Sequence, residues 1–194
     1  MTSVEEAPRQ AGRPRDPACD AAILRATLEA FELHGYAGVS IEGVAGRAGV
    51  GKATVYRRFA TKADLVVEAV RSGLQIKDVL PDTGDARADM LTMMRTLLDA
   101  LRGPGGGLLI RFATERVRNP DLAEAFTRSV VGRKREHMQH VLRAAVERGE
   151  LPADADVELL AETGPAFIWH HALNGLPLTD DLPERIVGMI LPPR

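Results

Sequence analysis

The stretch SIEGVAGRAGVGKATVYRRFATK, Ser40 to Lys62, reads as two short helices joined by a tight turn. Ser40 is a residue that caps a helix N-terminus, and Glu42 in the first turn suits the positive end of the helix dipole. Val44, Ala45 and Ala48 form an apolar stripe, with Ala45 small enough to let another helix cross closely. Gly49 stands where a helix ends in a left-handed residue, and Val50 tucks the turn into the core. The second helix starts near Lys52 and turns Val55 and Phe59 inward at i, i+4. Lys52, Thr54, Tyr56, Arg57 and Arg58 are left for its other faces. Five bases, Arg47, Lys52, Arg57, Arg58 and Lys62, oppose one acid, Glu42. A phosphate backbone attracts such a local positive excess, so the pattern predicts a helix-turn-helix with its nucleic-acid face exposed.

On the N-terminal side, Asp16-Pro17 opens a first helix that runs to about His34, with Ile23, Leu24, Leu28 and Phe31 inward and Gly35 as its stop. On the C-terminal side, Thr61 caps a fourth helix expected to reach about Leu80. Residues 1–15 are rich in Pro, Gly and charge without an apolar period, the composition of a flexible arm. Arg13 and Arg15 at its end either reach a minor groove or phosphates, or belong to a solvated tail. Pro81-Asp82-Thr83-Gly84 is a turn and a natural boundary. Three parts are therefore expected: an arm over 1–15, a helix-turn-helix domain with its linking helix over 16–80, and a second domain over 81–194.

The second domain reads as helices over about 85–101, 107–118, 120–148, 155–174 and 181–191, divided by Gly and Pro clusters. Every clear period is near 3.6 and none alternates, so the fold class is all-α. The run Gly103-Pro104-Gly105-Gly106-Gly107 lacks the Lys-Ser/Thr ending of a phosphate loop and follows no strand, which makes it a link.

The order of these features resembles one family closely. ILRATLEAFELHGYAGVSIEGVAGRAGVGKATVYRRFATKADL, Ile23 to Leu65, is similar nearly position for position to the N-terminal domain of TetR-family transcriptional regulators. It has the IL..A..L..F first helix, the GY..VS link, the A...AGV core, the T.YR.F recognition helix and the K..L start of a fourth helix. Val141 to Leu173 is similar to a C-terminal ligand-binding region of one branch of that family. The sequence departs from the pattern at Gly43 and Gly46, each costing about 0.5–1 kcal/mol relative to Ala inside a helix. Gly51 stands where Ser is usual, at the cap of the recognition helix, a position glycine also serves.

The resemblance implies that Lys52, Ala53 and Thr54 meet bases while Ser40, Tyr56 and Lys62 hold the DNA backbone. The chemistry of the side chains is consistent with these roles. Lys52 can donate to guanine O6 and N7, Ala53 can touch a thymine methyl, and Arg57 can reach a guanine or a phosphate. Glu42 is left out of the set because an acid cannot copy the basic residue some members carry there. Arg58 is either a contact or a solvated charge.

Bulk charge does not contradict a local interface. The 194-residue chain carries a formal charge of −2, with ten Lys/Arg against nine Asp/Glu over residues 1–75 and fifteen against eighteen beyond. Attraction to DNA must come from a patch. Apolar residues make up 45% and charged ones 27%, the profile of a globular protein able to bury a core. A single cysteine, Cys19, excludes an internal disulfide and fits a reducing compartment. No secretory pattern opens the chain, and no apolar run approaches the ~20 residues of a membrane helix. A cytoplasmic location with no membrane partner is expected.

One short recognition helix reads few bases, and the resemblance implies a homodimer reading a near-palindromic operator with half-sites about one helical turn, ~34 Å, apart. The last two helices, with Leu159, Leu160, Phe167, Ile168, Leu182, Ile186, Val187, Met189 and Ile190, are either dimer elements or ordinary core. Met93, Met94, Phe112, Phe126, Trp169 and His170 are candidates for a small-molecule pocket, since methionine and aromatic residues make an adaptable lining; packing alone explains each equally well. His137 and His140 on one helix and His170 and His171 on another offer imidazoles, but no Cys or clear carboxylate completes a metal site, so no metal or cofactor is expected. No nucleophile triad, nucleotide loop or carboxylate pair suggests an enzyme. The expected protein is a homodimeric repressor released from DNA by a hydrophobic small molecule. The alternative is a DNA-binding regulator whose second domain only dimerises or binds a protein partner.

Overall fold

A computed structural model describes residues 16–75 and 79–191, so the expectation for the arm over 1–15 lies outside the described residues. Among the described residues there are helices and no strand. α1 (Pro17–Gly38) is capped by Asp16, whose side chain accepts from the Ala18 N–H. Gly35 breaks its helical path with φ 68° and ψ −174°. The positive φ is what requires glycine; the nearest atom a Cβ would meet, 2.5 Å away, is the movable end of the Glu115 side chain. α2 (Ile41–Ala48), α3 (Lys52–Tyr56) and α4 (Lys62–Gly73) follow. Ser40 accepts from the Gly43 N–H and Thr61 from the Asp64 N–H, the two caps that start α2 and α4. Gly49 ends α2 with φ 67°.

α4 is shorter than the sequence suggests. It stops at Gly73, and Gln75 adopts φ 48°. Gly73 packs against α1: a Cβ there would fall 2.2 Å from the tip of the Leu28 side chain.

The remaining helices are α5 (Ala86–Arg102), α6 (Gly106–Arg118), α7 (Pro120–Phe126), α8 (Gly132–Glu147), α9 (Val157–Leu173) and α10 (Leu182–Ile190). Residues 120–148, expected as one helix, are α7 and α8 joined by a π turn over Thr127–Val131. Widened turns of this kind realign the side chains that follow them. α9 contains Pro165, which cannot donate to the helical ladder.

Two apolar clusters hold the molecule. One joins α1–α4 to Phe112, Leu122, Ala125, Phe126 and Val130, so packing crosses the boundary expected at residue 81. The other is built from α5, α6, α8, α9 and α10. Ile168, Leu182, Ile186, Val187 and Ile190 lie in this second core, so of the two readings left open for the last two helices these five residues follow the core one. Leu159, Phe167 and Met189 of the same set are exposed. The difference is helical phase: α9 and α10 each turn one apolar side to α5 and leave another outside. Among the described residues no helix is long and apolar enough to cross a membrane.

Candidate DNA interface and ligand cavity

α2 and α3 cross at the Gly49 turn, held by Val44, Ala45 and Val55, and this presents one face of α3 to solvent. Lys52, Ala53, Tyr56 and Arg57 are exposed there and Thr54 is partly buried. Tyr56 is 51% exposed, so burial does not explain it. The Thr54 N–H donates to the Gly51 carbonyl, closing the first turn without a side-chain cap. Ser40 lies at the N-terminus of α2, exposed beside its capped amide. Lys62 is partly buried: its ammonium donates to the Tyr36 carbonyl at 2.9 Å and lies 4.2 Å from the Tyr36 ring centre. That bond uses one of three donors and leaves the others for a phosphate.

Two partners on this face were not apparent in the sequence. Glu42 of α2 pairs with Lys52 of α3 across the turn. The hydrogen bond to Lys52 holds the Glu42 carboxyl below its usual range, and the same bond raises Lys52. Arg58 is neither a free contact nor a solvated charge: its side chain is 10% exposed and pairs with Asp20, clamping the end of α3 to α1. Residues ten or thirty-eight apart carry no helical period, so only the folded packing brings these pairs together.

A cavity of about 570 Å³ lies between α5, α6, the α7–α8 junction and α9. Met93, Met94, Leu97 and Leu109 line one side, Phe126, Val130, Val131 and Met138 another, and Ala161, Pro165 and Trp169 close it from α9. Four of the six expected pocket residues, Met93, Met94, Phe126 and Trp169, meet there. The other two are corrected. Phe112 is buried in the N-terminal cluster between Phe31 and Phe126, with ring centres 6.0 Å and 5.0 Å away. His170 faces solvent beside Asn174, because it follows Trp169 by about 100° around α9.

The histidines are spread among separate contacts. His137 meets the Pro81 carbonyl at 2.7 Å, His140 lies 3.6 Å from Asp82 and His171 meets the Pro177 carbonyl at 2.8 Å. Among the described residues no group of three or more His, Cys, Asp or Glu is placed to hold a metal.

The sequence reading passed over Arg116, which also lines the cavity. A signal was present: Leu109, Phe112, Ala113 and Arg116 share one face of α6 by their spacing, so the arginine continues an otherwise apolar stripe.

The cavity wall and the DNA-facing unit are joined by short links. Arg128, in the π turn that contributes Val130 and Val131 to the wall, donates to Asp64 in the first turn of α4 at 2.6 Å. Tyr36, which holds Lys62, donates its phenol to Asp121 of α7. Burial, then the hydrogen bond to Asp121, raises the Tyr36 pKa and keeps it protonated as that donor.

Residues 23–69 match the family profile described as bacterial regulatory proteins, tetR family, and residues 80–190 match that of the tetracyclin repressor-like C-terminal domain. The chain is 30% identical over 188 residues to an uncharacterized HTH-type transcriptional regulator of Mycobacterium tuberculosis, covering 94% of this chain and 93% of that protein. It is 28% identical over 172 residues to the DNA-binding transcriptional repressor TetR of Mycobacteroides abscessus, covering 88% and 90%. The crystal structure of the TetR family transcription regulator SCO0332 superimposes with a TM-score of 0.67 at 29% identity, covering 89% of this chain and 96% of that one.

Proposed function

The chain belongs to the TetR family of DNA-binding transcriptional regulators, which are not enzymes, and from that premise we propose that it is a homodimeric repressor released from a near-palindromic operator by a small molecule held in the 570 Å³ cavity. The observation that carries this reading is the shared turn: Val130 and Val131 border the cavity while Arg128, two residues away, holds the start of α4. A ligand that pushes on that wall moves α4, and α4 follows the recognition helix α3 after five residues. Two recognition helices matched to half-sites ~34 Å apart lose that match when each shifts. A cavity of this size is within the range of small-molecule sites and supports the ligand-binding reading over a domain that only dimerises.

For DNA contact we assign Lys52, Ala53 and Thr54 to base edges, Arg57 to a guanine or phosphate, and Ser40, Tyr56 and Lys62 to the backbone. For assembly we assign the exposed apolar residues Leu159, Phe167 and Met189 of α9 and α10, a patch that a second copy would cover.

Selecting DNA fragments with the purified protein tests the reading first, because a dimer recovers a near-palindrome. On the selected fragment, Lys52→Ala is expected to weaken specific binding by about 1–3 kcal/mol and relax preference at one base pair. Lys62→Ala is expected to weaken binding to selected and random DNA alike and to lower the salt slope by about one. Equal losses on both DNAs for Lys52→Ala would make it a backbone contact, and a loss confined to the selected DNA for Lys62→Ala would make that residue a base contact.

Induction has its own readout. Trp169 is the only tryptophan and lies in the cavity wall. A compound that releases the fragment through this cavity should change Trp169 emission with the same concentration dependence. Linkage requires that the fragment weaken binding of the compound by the factor with which the compound weakens DNA binding. Release without any change in Trp169 emission would place the effector outside the cavity.

A further inference from the structure

The cavity wall contains a cation that no acid neutralises. Arg116 reaches it from the apolar face of α6, and among the described residues its guanidinium has no hydrogen bond or carboxylate partner. Its guanidinium carbon lies 5.1 Å from the centre of the Phe126 ring, which orients the planar group without satisfying its five donors. The other charges of the wall are engaged or exposed. Arg135 pairs with Glu162 at 3.2 Å, Lys134 has a partner, and Asp99 is exposed near Arg102. Burial holds the Arg116 pKa below the usual arginine range, with no opposite charge to restore it.

We propose that Arg116 anchors the anionic head of an amphipathic effector, a carboxylate or a phosphate, whose apolar body lies against Met93, Met94, Met138 and Trp169. The proposal rests on reading the cavity as the effector site. A wholly neutral ligand filling the space would strip water from the guanidinium and return no hydrogen bond, a penalty that grows with burial. A carboxylate or phosphate returns two parallel charge-assisted bonds to the guanidinium fork, and the low-dielectric wall strengthens them. Packing does not require the charge: a methionine fills similar space beside Phe126 without the desolvation cost.

Decanoate, decyl phosphate, decanol and decylamine, each below its micellar concentration, would be titrated into the full-length protein with Trp169 emission and thermal shift as readouts. Decanoate or decyl phosphate should bind about tenfold or more tightly than decanol, with decylamine weakest; whichever anion binds better identifies the head group. Arg116→Gln should remove that advantage and leave decanol unchanged, and Arg116→Lys should restore part of it as a point charge. Circular dichroism of both variants establishes that they fold. Decanol binding as tightly as the anions, or an anion preference that survives Arg116→Gln, would overturn the anchor while leaving the cavity as a ligand site. If none of the four compounds changed Trp169 emission or the melting temperature, the cavity reading itself would fall, and the anchor with it.

Discussion

Ile186→Glu is expected to unfold the C-terminal half of the protein, not to release folded monomers. Ile186 is 2% exposed and lies in the core of α5, α9 and α10, where a Cβ on Gly164 would come within 3.5 Å of its Cγ2. A carboxylate there has no water and no partner, a cost of several kcal/mol against a total stability of about 5–15 kcal/mol. The measurement is far-UV circular dichroism with a thermal melt, and the expected result is a lost or strongly lowered transition. Phe167→Glu is the informative contrast. Phe167 is 40% exposed on α9, so the charge stays hydrated and the fold should survive. If α9 is the dimer face as proposed, this variant sediments as a monomer and its affinity for a two-half-site fragment falls about 10²- to 10⁴-fold as the second contact is lost. A folded Ile186→Glu with the parent melting temperature would place Ile186 outside the core. A dimeric Phe167→Glu would move the interface off this part of α9.

Phe112→Ala is expected to destabilise the whole chain by about 3–5 kcal/mol, the usual cost of removing a buried phenyl ring. Phe112 is 1% exposed and packs tilted against Phe31 of α1 and edge-on against Phe126 of α7, so one α6 side chain joins the N-terminal helices to the cavity-bearing helices. For a chain of this length the loss corresponds to a melting temperature lower by about 6–20 °C. Because the ring belongs to both halves, Trp169 fluorescence and circular dichroism should report the same shifted transition. Two separated transitions would mean that the halves are joined less tightly than this ring contact indicates. Chemical denaturation followed by both signals decides between them.

Several features were readable without coordinates because they depend on near neighbours along the chain. Ser40 caps α2, Thr61 caps α4, Gly49 takes the left-handed turn and Gly35 breaks α1, each determined by residues within four positions. The exposed face of α3 followed from the inward spacing of Val55 and Phe59. The length of α4 did not follow: the helix stops at Gly73, which packs against Leu28, forty-five positions earlier, a closeness that no local spacing shows.

The apolar residues of the second domain divide along the same line. Periodicity marks Ile168, Phe167, Ile186 and Met189 as faces of helices, yet two of them are core and two are exposed. Phe112 and Phe126 looked equivalent, and one fills a core while the other also borders a cavity. Residue type measures the tendency to leave water; it does not name the surface that takes the water's place.

By itself the sequence determined an all-α chain with an N-terminal helix-turn-helix and the family to which it belongs, because caps, turn glycines and helical periods act within a few residues and their order is specific. Only the tertiary structure decided that Glu42 engages Lys52, that Arg58 is a clamp and that Arg116 stands unpaired beside a cavity. These depend on which helices meet and at what rotation. Charges and cavities arise between elements, and the distance across a helix crossing is not written in the spacing along either helix.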